Sequence, residues 1–211
     1  MIYPLVTGIH WADFDFQWYI EACRSRPGPA KTGSGFHSVD TFIDQPAHPG
    51  TDNIPIAKYA ESTARGLMPR GTTPYQVADR IDARADAVIA TLNTYGSTQR
   101  PRRAMLEFTR TQNDILMMAL LGKYYAAKIR GATELALFRS TGIRSHQVLA
   151  VKYLNVAAEK ANAYASRISA FRAPRIWTNR VGYVDFGEFE REARHDVEIA
   201  EAAIPAARVT P

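Results

Sequence analysis

The stretch from Pro101 to Gly142 constrains the fold more than any other part of this sequence, because it has the pattern of one long helix. Pro101 precedes the helix, and Gly142 supplies a C-terminal stop after Thr141. A continuous helix over this range would be about 60 Å long, so a break within it is reasonable to expect. Small side chains at the centre of its inward stripe would let a neighbouring helix approach closely. The stripe consists of Phe108, Ile115, Ala119, Gly122, Ala126, Ile129, Thr133 and Leu137.

Two helices are predicted before this stretch. The first covers residues 56–67 and ends near Gly66. The second has Pro74 in its first turn and ends at Gly96, and its apolar residues recur at spacings of three and four. Proline is favoured in a first turn because its missing N–H breaks no helical hydrogen bond there.

Two further helices are predicted after it. Ser145 is the expected N-cap of the first, and Pro174 lies beyond its end. The second begins at Asp185, and Glu188 three residues later completes the pattern of a capping box.

These signals predict a mainly α protein, an antiparallel bundle of three to five helices. An irregular, aromatic-rich N-terminal segment with at most short strands precedes the bundle. The expected division is residues 1–56 for that segment, packed on the bundle, and residues 57–211 for the helical domain. Three prolines between Asp44 and Pro55 exclude a regular helix in that part of the segment.

The charge balance argues against a nucleic-acid partner. The chain has 26 basic and 21 acidic residues, a net charge of +5. Its arginines and lysines are mixed with acidic residues along the helices, whereas nucleic-acid-binding proteins usually concentrate them on one face. Cys23 is the only cysteine, which excludes an internal disulfide and a thiolate metal cluster.

Membrane and targeting signals are also missing from the sequence. No apolar run approaches the roughly 18 residues that a membrane span needs, so we expect no membrane partner. The N-terminus lacks the basic region and cleavage site of a signal peptide, which fits a mature, truncated or cytosolic chain. The compartment and the oligomeric state stay open, and a homo-oligomer is one option.

The stretch GIHWADFDFQWYIEACR, residues 8–24, has the composition of a sugar-binding surface. In extended geometry Trp11, Asp13 and Asp15 share one face. An indole covers the apolar C–H patch of a pyranose, and carboxylates accept hydrogen bonds from its hydroxyls. The alternative is a hydrophobic anchor that holds the segment on the helices. The candidate catalytic residues are Asp13, Asp15 and Glu21, and the candidate ligand-binding residues here are His10, Trp11, Trp18 and Tyr19.

A second polar cluster lies in residues 35–53. His37 and Asp40 are candidate ligand-binding residues. Residues of the types that bind metals are present, but they do not follow any recognised metal-binding spacing. We therefore expect neither a metal nor another cofactor. The alternative is a rigid proline-rich loop whose side chains bond its own backbone. The residues of ligand type are His37, Asp40, Asp44, His48 and Asp52.

Polar residues also occur within the helices. Arg130 and Glu134 are one turn apart, which favours an ion pair between them. His195 and Asp196 have the pattern of ordinary surface residues. The carboxylates that could share a pocket with Tyr124 or Tyr125 are Glu107, Asp114 and Glu134.

Three stretches of the chain resemble the C-terminal part of bacterial glycoside-hydrolase-like proteins related to α-glucuronidases. They are FDFQWYIEACRS, FHSVDTFIDQPAHPGTDNIPIAKYAE and LLGKYYAAKIRGATELALFRSTG. The resemblance implies polysaccharide metabolism and a helical region that follows a catalytic barrel. It carries over no catalytic residue, and 211 residues cannot hold both a (β/α)₈ barrel and this bundle.

The predicted function is a carbohydrate-associated helical module with a poly- or oligosaccharide partner. It would bind glycan or form the helical part of a polysaccharide-degrading enzyme. The first alternative is a compact glycoside hydrolase that uses a carboxylate pair. The second is a non-catalytic helical scaffold or interaction domain. Whether the chain is an enzyme is left open by the sequence.

Overall fold

A computed structural model describes residues 23–24, 36–47, 50–95, 102–171, 175–178 and 182–206. Helices dominate these residues, which confirms the mainly α prediction. The elements in chain order are β1 (Cys23–Arg24), α1 (Val39–Asp44), α2 (Ile56–Ala64), α3 (Pro74–Tyr95), α4 (Arg102–Thr141), α5 (Arg144–Phe171), β2 (Arg175–Thr178), β3 (Gly182–Asp185) and α6 (Phe186–Glu201).

Helix α4 is the central element and runs unbroken over 40 residues, so the expected break is absent from it. It contacts α1, α2, α3 and α5, and α5 in turn contacts α6. Between Leu121 and Phe138 every residue of α4 is buried except Lys123 and Arg130, which are partly exposed. Because other helices pack around α4, its polar side chains have to contact residues of those helices.

Hydrogen bonds between helices establish the antiparallel order. Arg167, near the end of α5, donates to Asn113 in the first half of α4. Gln147, near the start of α5, donates to the carbonyls of Ala200 and Glu201 at the end of α6. Successive long helices therefore run in opposite directions, as the short connection at Gly142 requires.

Helices α4 and α5 approach each other closely at Gly131. A Cβ atom added there would lie 2.7 Å from Leu154 Cγ and 3.3 Å from the backbone nitrogen of Leu154. The small residues that the sequence singled out, Ala119, Gly122 and Ala126, are buried as expected. The contact at Gly131 lies off their stripe and was missed.

The structure differs from the sequence prediction at three places. A short helix, α1, lies within the segment expected to be irregular; Ser38 caps it by accepting from the Thr41 N–H at 3.3 Å. Strands β2 and β3 pair as an antiparallel hairpin between α5 and α6, where no strand was predicted. Helix α5 begins at Arg144, so Ser145 is inside the helix and is not its N-cap.

The start of α6 agrees with the prediction. Asp185 is its N-cap, and the carboxylate accepts from the Glu188 N–H at 3.0 Å. Phe186 and Phe189 are buried beside this cap and join the core. Among the described helices, none combines the length and apolar character needed to cross a membrane.

Candidate functional site

Most of the predicted site residues fall outside the part of the chain that the structure describes. These are His10, Trp11, Asp13, Asp15, Trp18, Tyr19 and Glu21. The last two residues of the same stretch, Cys23 and Arg24, are described and form β1. Strand β1 pairs antiparallel with β3, with Cys23 opposite Val184 and Arg24 opposite Tyr183.

Of the other two predicted residues, His37 lies beside a buried ammonium group. Lys128 of α4 is fully buried. Its Nζ donates to the carbonyl of His37 and, at 2.9 Å, to Tyr124 Oη. It also forms an ion pair with Asp196 Oδ2 of α6 at 2.9 Å. We call Lys128, Tyr124, Asp196 and the His37 carbonyl the Lys128 centre.

Asp196 and aromatic rings complete the surroundings of the ammonium. Asp196 Oδ1 accepts from the backbone N–H of Val39 at 2.7 Å, at the first residue of α1. The Phe36 and Phe42 ring centroids lie 3.9 Å and 4.8 Å from Lys128 Nζ, within the range of cation–π attraction. A buried charge is tolerated only where such partners replace water. The centre therefore joins the segment around α1 to both α4 and α6.

The imidazole of His37 is itself buried next to this positive charge. Burial, and secondarily the charge of Lys128, lowers the pKa of His37 from 6.5 to about 4. The ring is consequently neutral near neutral pH. Both effects have the same sign because each disfavours a second positive charge.

Asp40 lies on α1 and faces the end of α4. Its Oδ1 is 2.6 Å from Arg139 Nη1. The Asp40 side chain is 45% exposed, so solvent still reaches it. This ion pair provides a second link between α1 and α4, at the end of α4 away from the chain segment 102–110.

Two expectations about polar residues are wrong. Asp196 is 1% exposed and binds Lys128, whereas the sequence predicted a surface residue. Arg130 bonds Asp79 and Asp82 of α3 instead of Glu134. Both errors have one cause: the actual partners lie on other helices, which the local sequence does not indicate.

Glu134 belongs to a second polar cluster, which joins α3, α4 and α5. Its Oε1 accepts from Tyr75 Oη at 2.7 Å, and its Oε2 lies 2.6 Å from His146 Nδ1. Burial and the hydrogen bond to Glu134 raise the pKa of Tyr75. The ring of Tyr59 packs edge-on against Tyr75 at 5.8 Å between centroids. No local pattern in the sequence indicates this cluster, because its members come from separate helices.

The predicted pocket shared by Glu107, Asp114 and Glu134 does not form. Glu107 and Glu134 are separated by about 40 Å of helix, and Tyr124 and Tyr125 are buried in the core. Asp114 instead lines a cleft of about 480 Å³ between the first half of α4 and the end of α5. The lining residues are Leu106, Thr109, Arg110, Asn113, Asp114, Met117 and Ala170.

The described His and Asp side chains of residues 35–53 do not come together at one point. Asp40 pairs with Arg139, and Asp52 accepts from Thr72 Oγ1 at 3.0 Å. His48 lies outside the described residues. Among the described residues, no group of three or more His, Cys, Asp or Glu side chains is arranged to hold a metal ion.

Comparison with protein-family models, with curated proteins and with solved structures found no match for this chain. The resemblance to α-glucuronidase-related proteins accordingly stays a prediction. Inference about function has to start from the residues of this chain and their geometry.

Proposed function

We propose that this chain is a carbohydrate-associated helical module whose bundle holds the aromatic stretch, residues 8–24, for binding to a poly- or oligosaccharide. The observation that supports the proposal is a double attachment of the N-terminal part of the chain. One attachment is β1 on the hairpin, and the other is the segment 36–44 on α4 and α6. A helical base that holds the C-terminal end of the aromatic stretch and the segment after it is suited to presenting the stretch.

The first attachment is immediately adjacent to the aromatic stretch. Cys23 and Arg24 are its last residues, and they pair with Val184 and Tyr183 of β3. Strand β3 leads directly into α6, whose first turn is capped and buried. Fixing one end of a binding segment in advance lowers the conformational entropy that binding has to overcome.

The second attachment is the Lys128 centre. Detaching the segment would separate Asp196 from the Val39 N–H and expose the apolar side chains of Phe42 and Ile43. It would also remove the His37 carbonyl from a buried ammonium. Leaving such a charge without partners costs several kcal/mol, so the attachment is firm.

The chemistry of the stretch supports a sugar as the occupant. Trp11 and Trp18 offer large apolar rings with a polar N–H, and Asp13 and Asp15 offer acceptors. A pyranose has both an apolar C–H face and a rim of hydroxyl donors. If the stretch instead cleaves the glycan, two of its carboxylates would act as acid and as base or nucleophile.

The second candidate function is a non-catalytic helical scaffold. It is favoured by the polar clusters of the described part, which bind helices to one another. The Lys128 centre joins α1, α4 and α6, and the Glu134 cluster joins α3, α4 and α5. In this case residues 8–24 would act as a hydrophobic anchor.

Affinity electrophoresis through gels containing soluble polysaccharides separates these candidates. We expect at least one glycan to retard the protein, and Trp11→Ala and Trp18→Ala to abolish the retardation with an unchanged circular dichroism spectrum. Met68→Ala is the control, because this side chain is 91% exposed and far along the chain from the stretch. A wild-type protein that no polysaccharide retards would overturn the proposal and favour the scaffold.

Hydrolysis is tested separately with chromogenic glycosides. Asp13→Asn and Asp15→Asn should abolish any turnover, whereas Asp44→Asn, on an exposed residue of α1, should not. Binding without turnover would identify a non-hydrolytic module.

A further inference from the structure

The cleft between α4 and α5 has the features of a small-molecule site, and the described residues that line it lie outside the aromatic stretch. Its volume of about 480 Å³ lies within the range of ligand-binding pockets. Residues 106, 110, 113 and 117 of α4 contribute one face of the helix at spacings of three and four. The end of α5 contributes the opposite wall through Ala170.

Asn113 is the polar residue at the base of this cleft. It is 5% exposed, and its Oδ1 accepts from Arg167 Nε at 3.1 Å and Nη2 at 2.5 Å. These two bonds fix the orientation of the amide, because a flipped amide would set N–H groups against the guanidinium. The Nδ2 atom is then a buried donor that has no hydrogen-bond partner in the described part of the chain. A buried donor of this kind is unfavourable until an acceptor reaches it.

The charges around Asn113 define the acceptor. Arg110 lies one turn before it and Asp114 directly after it, and both line the cleft. With Arg167, the described side chains supply two positive charges and one negative charge. A carboxylate that reaches Nδ2 would also meet the guanidinium of Arg110, whereas a dianionic phosphate would bring a second negative charge close to Asp114.

Apart from Thr109, the other described residues that line the cleft are apolar. Leu106 and Met117 lie on the same face of α4 as Asn113, and Ala170 lies across from them. Leu106 is 62% exposed and contributes apolar surface to the cleft. A ligand with an apolar body next to its charged end would cover this surface.

We propose that the cleft binds a small monocarboxylate with an apolar body, whose carboxylate accepts from Asn113 Nδ2 and Arg110 and whose body covers Leu106 and Met117. The occupied cleft gives the buried amide its acceptor and removes apolar surface from water. This inference is independent of the proposed glycan binding, which uses other residues.

Methionine-methyl NMR tests the proposal with hexanoate as the probe. The Met117 methyl, which lines the cleft, should show a saturable shift, and the Met68 methyl, which is 91% exposed, should not. Acetate lacks the apolar body and hexan-1-ol lacks the charge, so each should bind at least about tenfold more weakly. Inorganic phosphate should leave the Met117 signal unchanged.

Asn113→Asp is the decisive variant. It retains an oxygen for Arg167 and nearly the same volume, but it replaces the free donor with a negative charge. It should fold with a melting temperature at least equal to the wild type and lose hexanoate binding more than tenfold. Arg110→Gln should also weaken binding, and Arg80→Gln, which removes an exposed arginine from α3, should not.

Three results would overturn the inference: no saturable shift at Met117 with hexanoate, equal binding of hexan-1-ol, or full hexanoate binding by Asn113→Asp. Retardation by polysaccharide gels should be the same in Asn113→Asp and wild type. The failure of one proposal can therefore be distinguished from the failure of the other.

Discussion

Removing Lys128 should destabilise this protein more than removing any exposed lysine. The side chain is 0% exposed and its Asp196 partner is 2% exposed. Lys128→Met keeps a similar volume but leaves the Asp196 carboxylate buried without its cation. It also takes the donor away from Tyr124 Oη and from the His37 carbonyl. Breaking a buried ion pair by deleting one partner typically costs about 3–5 kcal/mol.

The double variant Lys128→Met/Asp196→Asn measures how much of this cost comes from the Asp196 carboxylate left without its cation. The asparagine removes the buried negative charge. Its Oδ1 can still accept the hydrogen bond that the Val39 N–H donates to Asp196 Oδ1. Because an apolar replacement of a buried pair is often nearly neutral, the double variant should be more stable than Lys128→Met by roughly 2–3 kcal/mol. Lys58→Met, on an exposed residue of α2, is the control and should change stability by less than about 0.5 kcal/mol.

Urea unfolding followed by circular dichroism at equal protein concentration measures these differences. For a chain of this size, 3–5 kcal/mol corresponds to a fall in melting temperature of roughly 6–20 °C. A Lys128→Met variant within about 1 kcal/mol of Lys58→Met would refute the buried ion pair as described. So would a double variant whose loss equals the sum of the two single losses.

Two further predictions concern His37 and Gly131. The folded-state pKa of His37 is about 4 against 6.5 in the unfolded chain, so unfolding takes up a proton between these values. The contribution of His37 to the free energy of unfolding should therefore be complete above about pH 6.5 and fall by up to about 3 kcal/mol as the pH drops to 4. His37→Gln should flatten this part of a stability–pH curve measured by urea unfolding. Gly131→Ala should lower the free energy of unfolding by about 1–3 kcal/mol in the same assay, since the new Cβ would lie 2.7 Å from a buried Leu154 side chain. An unchanged midpoint of urea unfolding would show that α4 and α5 are not so close.

The helices were predictable because their signals are local. Pro74, Gly142 and Asp185 mark helix ends through backbone geometry or capping, and each acts on residues within one turn. Helix α4 follows its predicted bounds for this reason. Helix α1 was missed, since six residues are too few to show a period, and its burial depends on α4 and α6.

The polar clusters could not be predicted in the same way. Lys128 and Asp196 are 68 residues apart, and nothing beside either residue indicates the other. Asp196 follows a histidine within a charged helix, which is also the pattern of a solvent-exposed face. Only the packing of α6 against α5, together with the ion pair to Lys128 of α4, makes that carboxylate a core residue. Tertiary contacts also decide which of the predicted site residues can reach a ligand.

The cleft and the Lys128 centre should behave as independent sites because they lie far apart along α4. Asn113 and Lys128 are 15 residues apart on this helix, a distance of about 22 Å. Substitutions separated by more than about 10 Å and sharing no partners usually have additive effects on stability. Asn113 bonds Arg167 of α5, whereas Lys128 bonds residues of α6 and of the N-terminal part. A variant at Asn113 that changed the stability cost of Lys128→Met would therefore reveal coupling along α4 that these contacts do not provide.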